Sequence, residues 1–280
     1  MRHSIIIIIL LAILVSETTN AQKKDTINIK SHAFDNNRFS FTTGAFVSGL
    51  VSNVRFGNKQ LGLGIDINIE DALGLNTSNF VFRGNAMYLI GKKRRHSIKA
   101  SYFAFLRTAN KVLETELEFN DYIFLIGTKV NSIFNFTIIK LAYDYSFFKD
   151  DRVDLGIGGG FYIMPIRFEL SVANNSTNNI ADFIAPLPYA SLRTDFKITP
   201  KLYLKQGIDL MYAQLDTYSG AIIDINLMIE HNTWKHFGFG AGLDFYKIVV
   251  RSESSKNKLD FIGNIELGYT GLLFFAKYYF

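Results

Sequence analysis

Residues 259–280 read LDFIGNIELGYTGLLFFAKYYF, and this closing stretch decides how the rest of the chain is read. Counted back from the end in twos, Phe280, Tyr278, Ala276, Phe274 and Leu272 share one face of an extended strand, because side chains alternate with period two. Farther back the apolar set is Leu259, Phe261, Ile265, Leu267 and Tyr269, which has the opposite parity. A bulge near Tyr269, Thr270 and Gly271 is expected to reconcile the two sets, since one inserted residue exchanges the faces.

The same pattern recurs upstream. Leu61, Leu63, Ile65, Ile67 and Ile69 oppose Gly62, Gly64, Asp66, Asn68 and Glu70, the clearest alternation in the chain. Ile139 to Phe147, Val153 to Ile163, Ala190 to Phe196, Ile223 to Ile229 and Phe237 to Phe245 each set one greasy face against a face carrying charge, and in Val153 to Ile163 and Phe237 to Phe245 that second face is mostly glycine. Residues 57–59, 91–96, 149–151, 198–200 and 232–235 read as short turns, and longer polar stretches such as 108–127 and 173–179 read as loops. About eleven strands are read directly, and residues 39–56 have room for two short ones in place of one. The expectation is an all-β, antiparallel transmembrane β-barrel of 10–12 strands, with twelve favoured and ten the nearest alternative. Short turns would lie on the periplasmic side and longer loops outside. A soluble sandwich is disfavoured because its charged face, meeting bulk water, would not be so rich in glycine.

The terminal strand with its final phenylalanine resembles the closing strand of bacterial outer-membrane β-barrels. That resemblance implies a Gram-negative outer membrane, outer-membrane lipid as surroundings, and insertion by the barrel-assembly machinery through a signal that includes Phe280 and Tyr278. No subfamily is reached. The amino end fits this picture. Met1-Arg-His-Ser precedes an apolar run from Ile5 to Val15, then small residues at Thr19 and Ala21, which reads as a signal peptide cleaved after Ala21. The run is shorter than the roughly 20 residues of a spanning helix. The chain then divides into residues 1–21 as signal, 22–37 as a periplasmic tail and 38–280 as barrel.

Composition narrows the chemistry. Cysteine is absent, which excludes disulfides and thiol catalysis. The net charge of +5 is weak and evenly spread, so nucleic acid is not an expected partner. The five histidines lack metal-site spacing, and no metal or other cofactor is expected. Glycine-rich residues 156–160 and 238–242 lie inside alternating stretches with no helix after them, so they read as inward strand glycines rather than phosphate loops. Lys92, Lys93, Arg94 and Arg95 form a solvated turn or a contact with lipid phosphates. His96-Ser97 is the one candidate for a serine–histidine hydrolase pair.

The inward face is the main constellation. It is read as Asp66, Glu70, Asp144, Asp154, Asp195, Asp209, Asp224, Glu230, Asp244 and Glu266 against Arg83, Lys99, Lys140, Arg193 and Lys205. Such charges either pair across the lumen and close it or rim a narrow path that favours cations weakly. The expected function is a monomeric, non-enzymatic barrel, pore or closed, with a hydrolase acting on membrane lipid as the alternative.

Overall fold

A computed structural model describes residues 37–58, 62–63, 67–119, 122–172, 178–215, 218–252 and 263–280. The chain divides into two units, residues 1–32 and 33–280, and described residues occur only in the second. The expected signal peptide, residues 22–36 of the expected tail, and Asp66 lie outside the described residues.

In chain order the elements are β1 (Phe39–Asn58), β2 (Gly62–Leu63), β3 (Ile67–Asn68), helix α1 (Ile69–Leu73), β4 (Ser78–Ile90) and β5 (His96–Val112). Then follow β6 (Leu117–Phe119), β7 (Tyr122–Phe124), β8 (Lys129–Lys149), β9 (Val153–Val172) and β10 (Asn178–Lys197). The last are β11 (Leu202–Leu215), β12 (Tyr218–Trp234), β13 (Phe237–Ser252) and β14 (Gly263–Tyr279). Among the described residues, ten of these pair in the order β1-β4-β5-β8-β9-β10-β11-β12-β13-β14, and β14 returns to β1. The closing seam is antiparallel from Ser40 opposite Tyr279 to Phe56 opposite Gly263. Closure leaves no unpaired wall edge. β2 and β3 only extend β1 at one end, and β6 with β7 forms a separate small hairpin.

The wall therefore has ten strands, not the favoured twelve. Residues 39–56 are one long strand, not two. Within 61–70, whose alternation is the sharpest in the sequence, the described residues 62–63 and 67–68 only pair briefly with β1, and 69–70 begin a helix. Asn68 caps a helix start there by accepting from the Asp71 N–H at 2.9 Å, and Gly74 ends the helix at a φ of 70°. The helix buries Ile69 and Leu73 in the core, so Ile69 does not serve the wall. The expected loop at 108–127 is also shortened, because β5 runs to Val112. Residues 129–138 keep the period of two with the faces exchanged: Val130, Phe134, Phe136 and Ile138 point inward and are buried, while the outward positions are Lys129, Asn131, Ile133, Asn135 and Thr137.

The bulge expected near Tyr269 is absent. β14 stays in continuous register with both neighbours through Tyr269, Thr270 and Gly271. Ile265, Leu267, Tyr269, Leu273, Phe275 and Tyr279 all point inward and are buried, while Leu272, Phe274 and Tyr278 point outward. Polarity switches along the strand without any change of face. The interior turns from polar to aromatic just where the exterior turns from apolar to polar. Glu266 lies on the outward parity, which corrects its expected place in the lumen, and it pairs there with Lys247 at 2.6 Å.

Outward side chains form an apolar belt. Phe80 is 69 % exposed, Leu106 70 % and Tyr212 75 %, far more bare hydrocarbon than a water-facing wall carries. Aromatic rings gather at one end of the belt. Phe39 meets Phe280 at 5.1 Å, Phe280 meets Tyr278 at 4.7 Å, and Trp234 meets Phe239 at 5.8 Å. The short connections 91–95, 150–152, 198–201 and 235–236 lie at this same end. Longer connections lie at the far end, although 216–217 is as short as any turn.

Candidate functional site

Inward alternation delivers charge to the lower half of the barrel, and the charge arrives in pairs. Nearest the short turns, Lys205 lies 2.7 Å and Lys277 3.4 Å from the same Glu230 oxygen, while the Tyr279 hydroxyl donates to the other oxygen. Beside them Arg193 reaches Asp154 at 3.0 Å and Asp195 at 3.1 Å, and Lys149 reaches Asp154 at 3.2 Å. Next, Lys99 holds Asp144 at 2.9 Å, and the Ser191 hydroxyl donates to Asp144 at 3.1 Å. Midway up, Arg83 pairs with Asp244 and Lys140 with Asp209, with Asp224 3.6 Å from Lys140. The Tyr162 hydroxyl lies 2.6 Å from both Asp209 and Asp224. A charge withdrawn from water needs such partners, or its burial costs several kcal/mol. Two glycines on β9 make room. A Cβ at Gly156 would stand 2.6 Å from the Arg193 guanidinium, and one at Gly158 would stand 2.4 Å from Asp144.

The mid-height pairs join strands that are not neighbours in the wall. Arg83 is on β4 and Asp244 on β13, while Lys140 is on β8 and Asp209 on β11. They are struts across the lumen.

Above them the interior is aromatic. Phe105 stacks on Phe136 at 4.6 Å and Tyr246 on Tyr269 at 5.0 Å. Again the contacts cross the lumen: Phe103 and Phe105 of β5 meet Tyr269 of β14 at 5.9 and 5.4 Å, and Tyr162 of β9 meets Tyr246 of β13 at 5.8 Å. The Tyr246 hydroxyl donates to the Met164 sulfur at 3.1 Å. Phe105, Ile138 and Met164 in this layer are 0 % exposed. At the far end Glu70, on α1 instead of a strand, takes the Arg107 guanidinium and the Ser52 N–H, the latter at 2.9 Å. Arg107 also sits 4.8 Å over the Phe134 ring.

Beneath the aromatic layer two adjoining cavities of about 230 and about 180 Å³ share Lys99, Arg193, Asp195, Lys205, Glu230 and Lys277 in their linings. The second is also lined by the exposed turn Asp150, Asp151 and Arg152, so together they form a vestibule that opens at the short-turn end. Its mouth is lined by eight Lys and Arg residues against five Asp and Glu. The carboxylate excess expected from sequence is therefore reversed here. Glu266 faces outward, Glu70 belongs to the far end, and Lys149 and Lys277 join the inner face. Lys277 and Arg107 were legible by parity, since each continues an inward row: Lys277 with Phe275 and Tyr279, Arg107 with Phe103 and Phe105.

His96 and Ser97 do not form a catalytic pair. Adjacent strand residues face opposite ways, so Ser97 is buried with its hydroxyl 3.4 Å from Asp144, while His96 lies outside, its Nδ1 2.6 Å from the Tyr143 hydroxyl. Residues 156–160 and 238–242 lie within β9 and β13. Lys92 and Lys93 are exposed in the turn after β4.

No protein-family model matches the chain, and no curated protein matches it in sequence. Solved structures do match. The outer-membrane protease OmpT from Escherichia coli aligns with a TM-score of 0.54 at 8 % identity, over 87 % of this chain and 97 % of that one. The attachment invasion locus protein Ail of Yersinia pestis aligns at 0.34 and 10 % identity, over 87 % and 99 % of the two chains. The Pseudomonas putida toluene transporter TodX aligns at 0.33 and 7 % identity, over 91 % and 93 %. The two lower scores carry no argument. The likeness to OmpT is one of fold alone: this chain has the outer-membrane β-barrel fold.

Proposed function

We propose that the chain is an integral outer-membrane protein, exported and freed of its leader after Ala21, whose barrel is closed along its axis and whose polar interior opens only to the periplasm. It acts as a monomeric, non-enzymatic barrel, set in lipid by its apolar belt and inserted by the barrel-assembly machinery. The short-turn end is the periplasmic one, as the turn lengths and the aromatic girdle indicate. The observation that carries closure is the set of ring contacts across the lumen, above all Tyr269 against Phe103 and Phe105. A conducting path needs a wetted bore, and the burial of Phe105, Ile138 and Met164 in that layer supports its absence. The lipid-hydrolase alternative loses its candidate pair, because Ser97 and His96 lie on opposite sides of the wall.

The test is conductance of the purified protein in planar lipid bilayers. It should be silent at both polarities. Reproducible steps from the wild-type protein would overturn closure and restore the pore.

A further inference from the structure

We infer that the vestibule receives a small soluble oxyanion, bearing a phosphate or carboxylate group, against the ammonium groups of Lys277 and Lys205. The inference rests on the periplasmic orientation proposed above only for the compartment that supplies the ligand.

The local charges do not balance at one place. Lys99 has Asp144, while Arg193 and Lys149 have Asp154 and Asp195 between them. Lys205 and Lys277 share the single carboxylate of Glu230, at 2.7 and 3.4 Å, and the Tyr279 hydroxyl engages its remaining oxygen. Two ammoniums thus divide one negative charge. The Lys277 side chain is only 9 % exposed, so water neutralises little of the surplus. Its position 4.7 Å over the Tyr279 ring compensates part of it. A cation so placed gains from an incoming anion far more than an exposed lysine would.

Space and field agree with the charge. Both lysines line the cavity of about 230 Å³, several times the roughly 30 Å³ that a water occupies in the liquid. The basic mouth draws anions toward the cavity. The ladders β4–β1, β1–β14 and β14–β13 run unbroken in register beside it, so a lipid tail has no lateral entry. A soluble anion entering along the axis is what the geometry admits.

The experiment uses the full mature chain in detergent micelles, titrated calorimetrically with inorganic phosphate, each variant first shown to be folded by heat-modifiable gel migration. The wild type should bind. Lys277→Gln should weaken binding by about tenfold or more, and Lys277→Arg should keep it within about threefold, tenfold being roughly 1.4 kcal/mol. Glu230→Gln should tighten binding, because it removes the competing carboxylate. No heat from the wild type at millimolar phosphate overturns the inference, as does equal binding by wild type and Lys277→Gln. If Lys277→Gln does not fold, unchanged or weaker binding by Glu230→Gln overturns it instead. Bilayer conductance by the wild type would sink the closed barrel while leaving this dependence on Lys277 intact, so the two failures are separable.

Discussion

Arg83 and Asp244 meet inside the barrel from strands that two others separate, and the guanidinium lies 4.9 Å over the Phe103 ring. Arg83→Ala leaves Asp244 buried without its partner and should cost about 3–5 kcal/mol, read as a lower denaturant midpoint in detergent. The double change Arg83→Met with Asp244→Leu should recover most of that loss, since apolar groups of similar volume need no counter-charge. A double variant as weak as the single one would show that the strut itself, not the stranded carboxylate, matters. Tyr269 touches Phe46, Phe103, Phe105 and Tyr246. Tyr269→Ala should destabilise by about 3–5 kcal/mol by the same measurement, as for large aromatic truncations in packed cores. At this scale parity in the sequence indicates which residues face inward. The partner of each remains hidden, because Arg83 and Asp244 are 161 residues apart and meet only once the sheet curves round.

Within the wall, β8 and β9 approach closely at Gly160, where a Cβ would stand 1.9 Å from the Leu141 carbonyl oxygen. Gly160→Val should therefore prevent the two strands from pairing, and the protein should lose its heat-modifiable band. A normal band would mean that the ladder can shift to accept the side chain. The seam between β1 and β14 ends where the Phe280 N–H donates to the Phe39 carbonyl at 3.0 Å. Deleting Phe280 removes this last link together with a ring of the aromatic girdle, and the chain should stay in the periplasm and be degraded. Normal amounts in the outer-membrane fraction would count against a role in assembly. The start of β13 at Phe237 was legible, because only one of its faces is apolar, whereas β12 runs on through residues 232–234 of the expected turn. The start of β8 was lost, because its apolar residues lie on the outward face from Ile139 to Phe147 but on the inward face from Val130 to Ile138. The end of the alternation at 61–70 was misread, because Ile69 and Glu70 open a short helix capped by Asn68 and Gly74.

For the molecule as a whole, two strata divide the interior: charged struts above a polar vestibule, and an aromatic seal. If the seal is the barrier, Tyr246→Ala combined with Tyr269→Ala should give measurable bilayer conductance where the wild type is silent. Continued silence in a folded double variant would move the barrier to the charged struts or to α1. Strand periodicity and the terminal aromatic stretch are local properties of the chain, so the class, an antiparallel barrel with a greasy outside, was legible from the residues alone. Parity alone pointed to Arg83, Lys99, Lys140, Asp144, Asp209, Asp224, Glu230 and Asp244, which pair inside, but it misplaced Glu266 and passed over Arg107, Lys149 and Lys277. The strand number, the ring contacts across the lumen and the sharing of Glu230 by Lys205 and Lys277 emerged only with the fold. Those depend on which side chains meet across a closed cylinder, and closure brings together residues that no local pattern links.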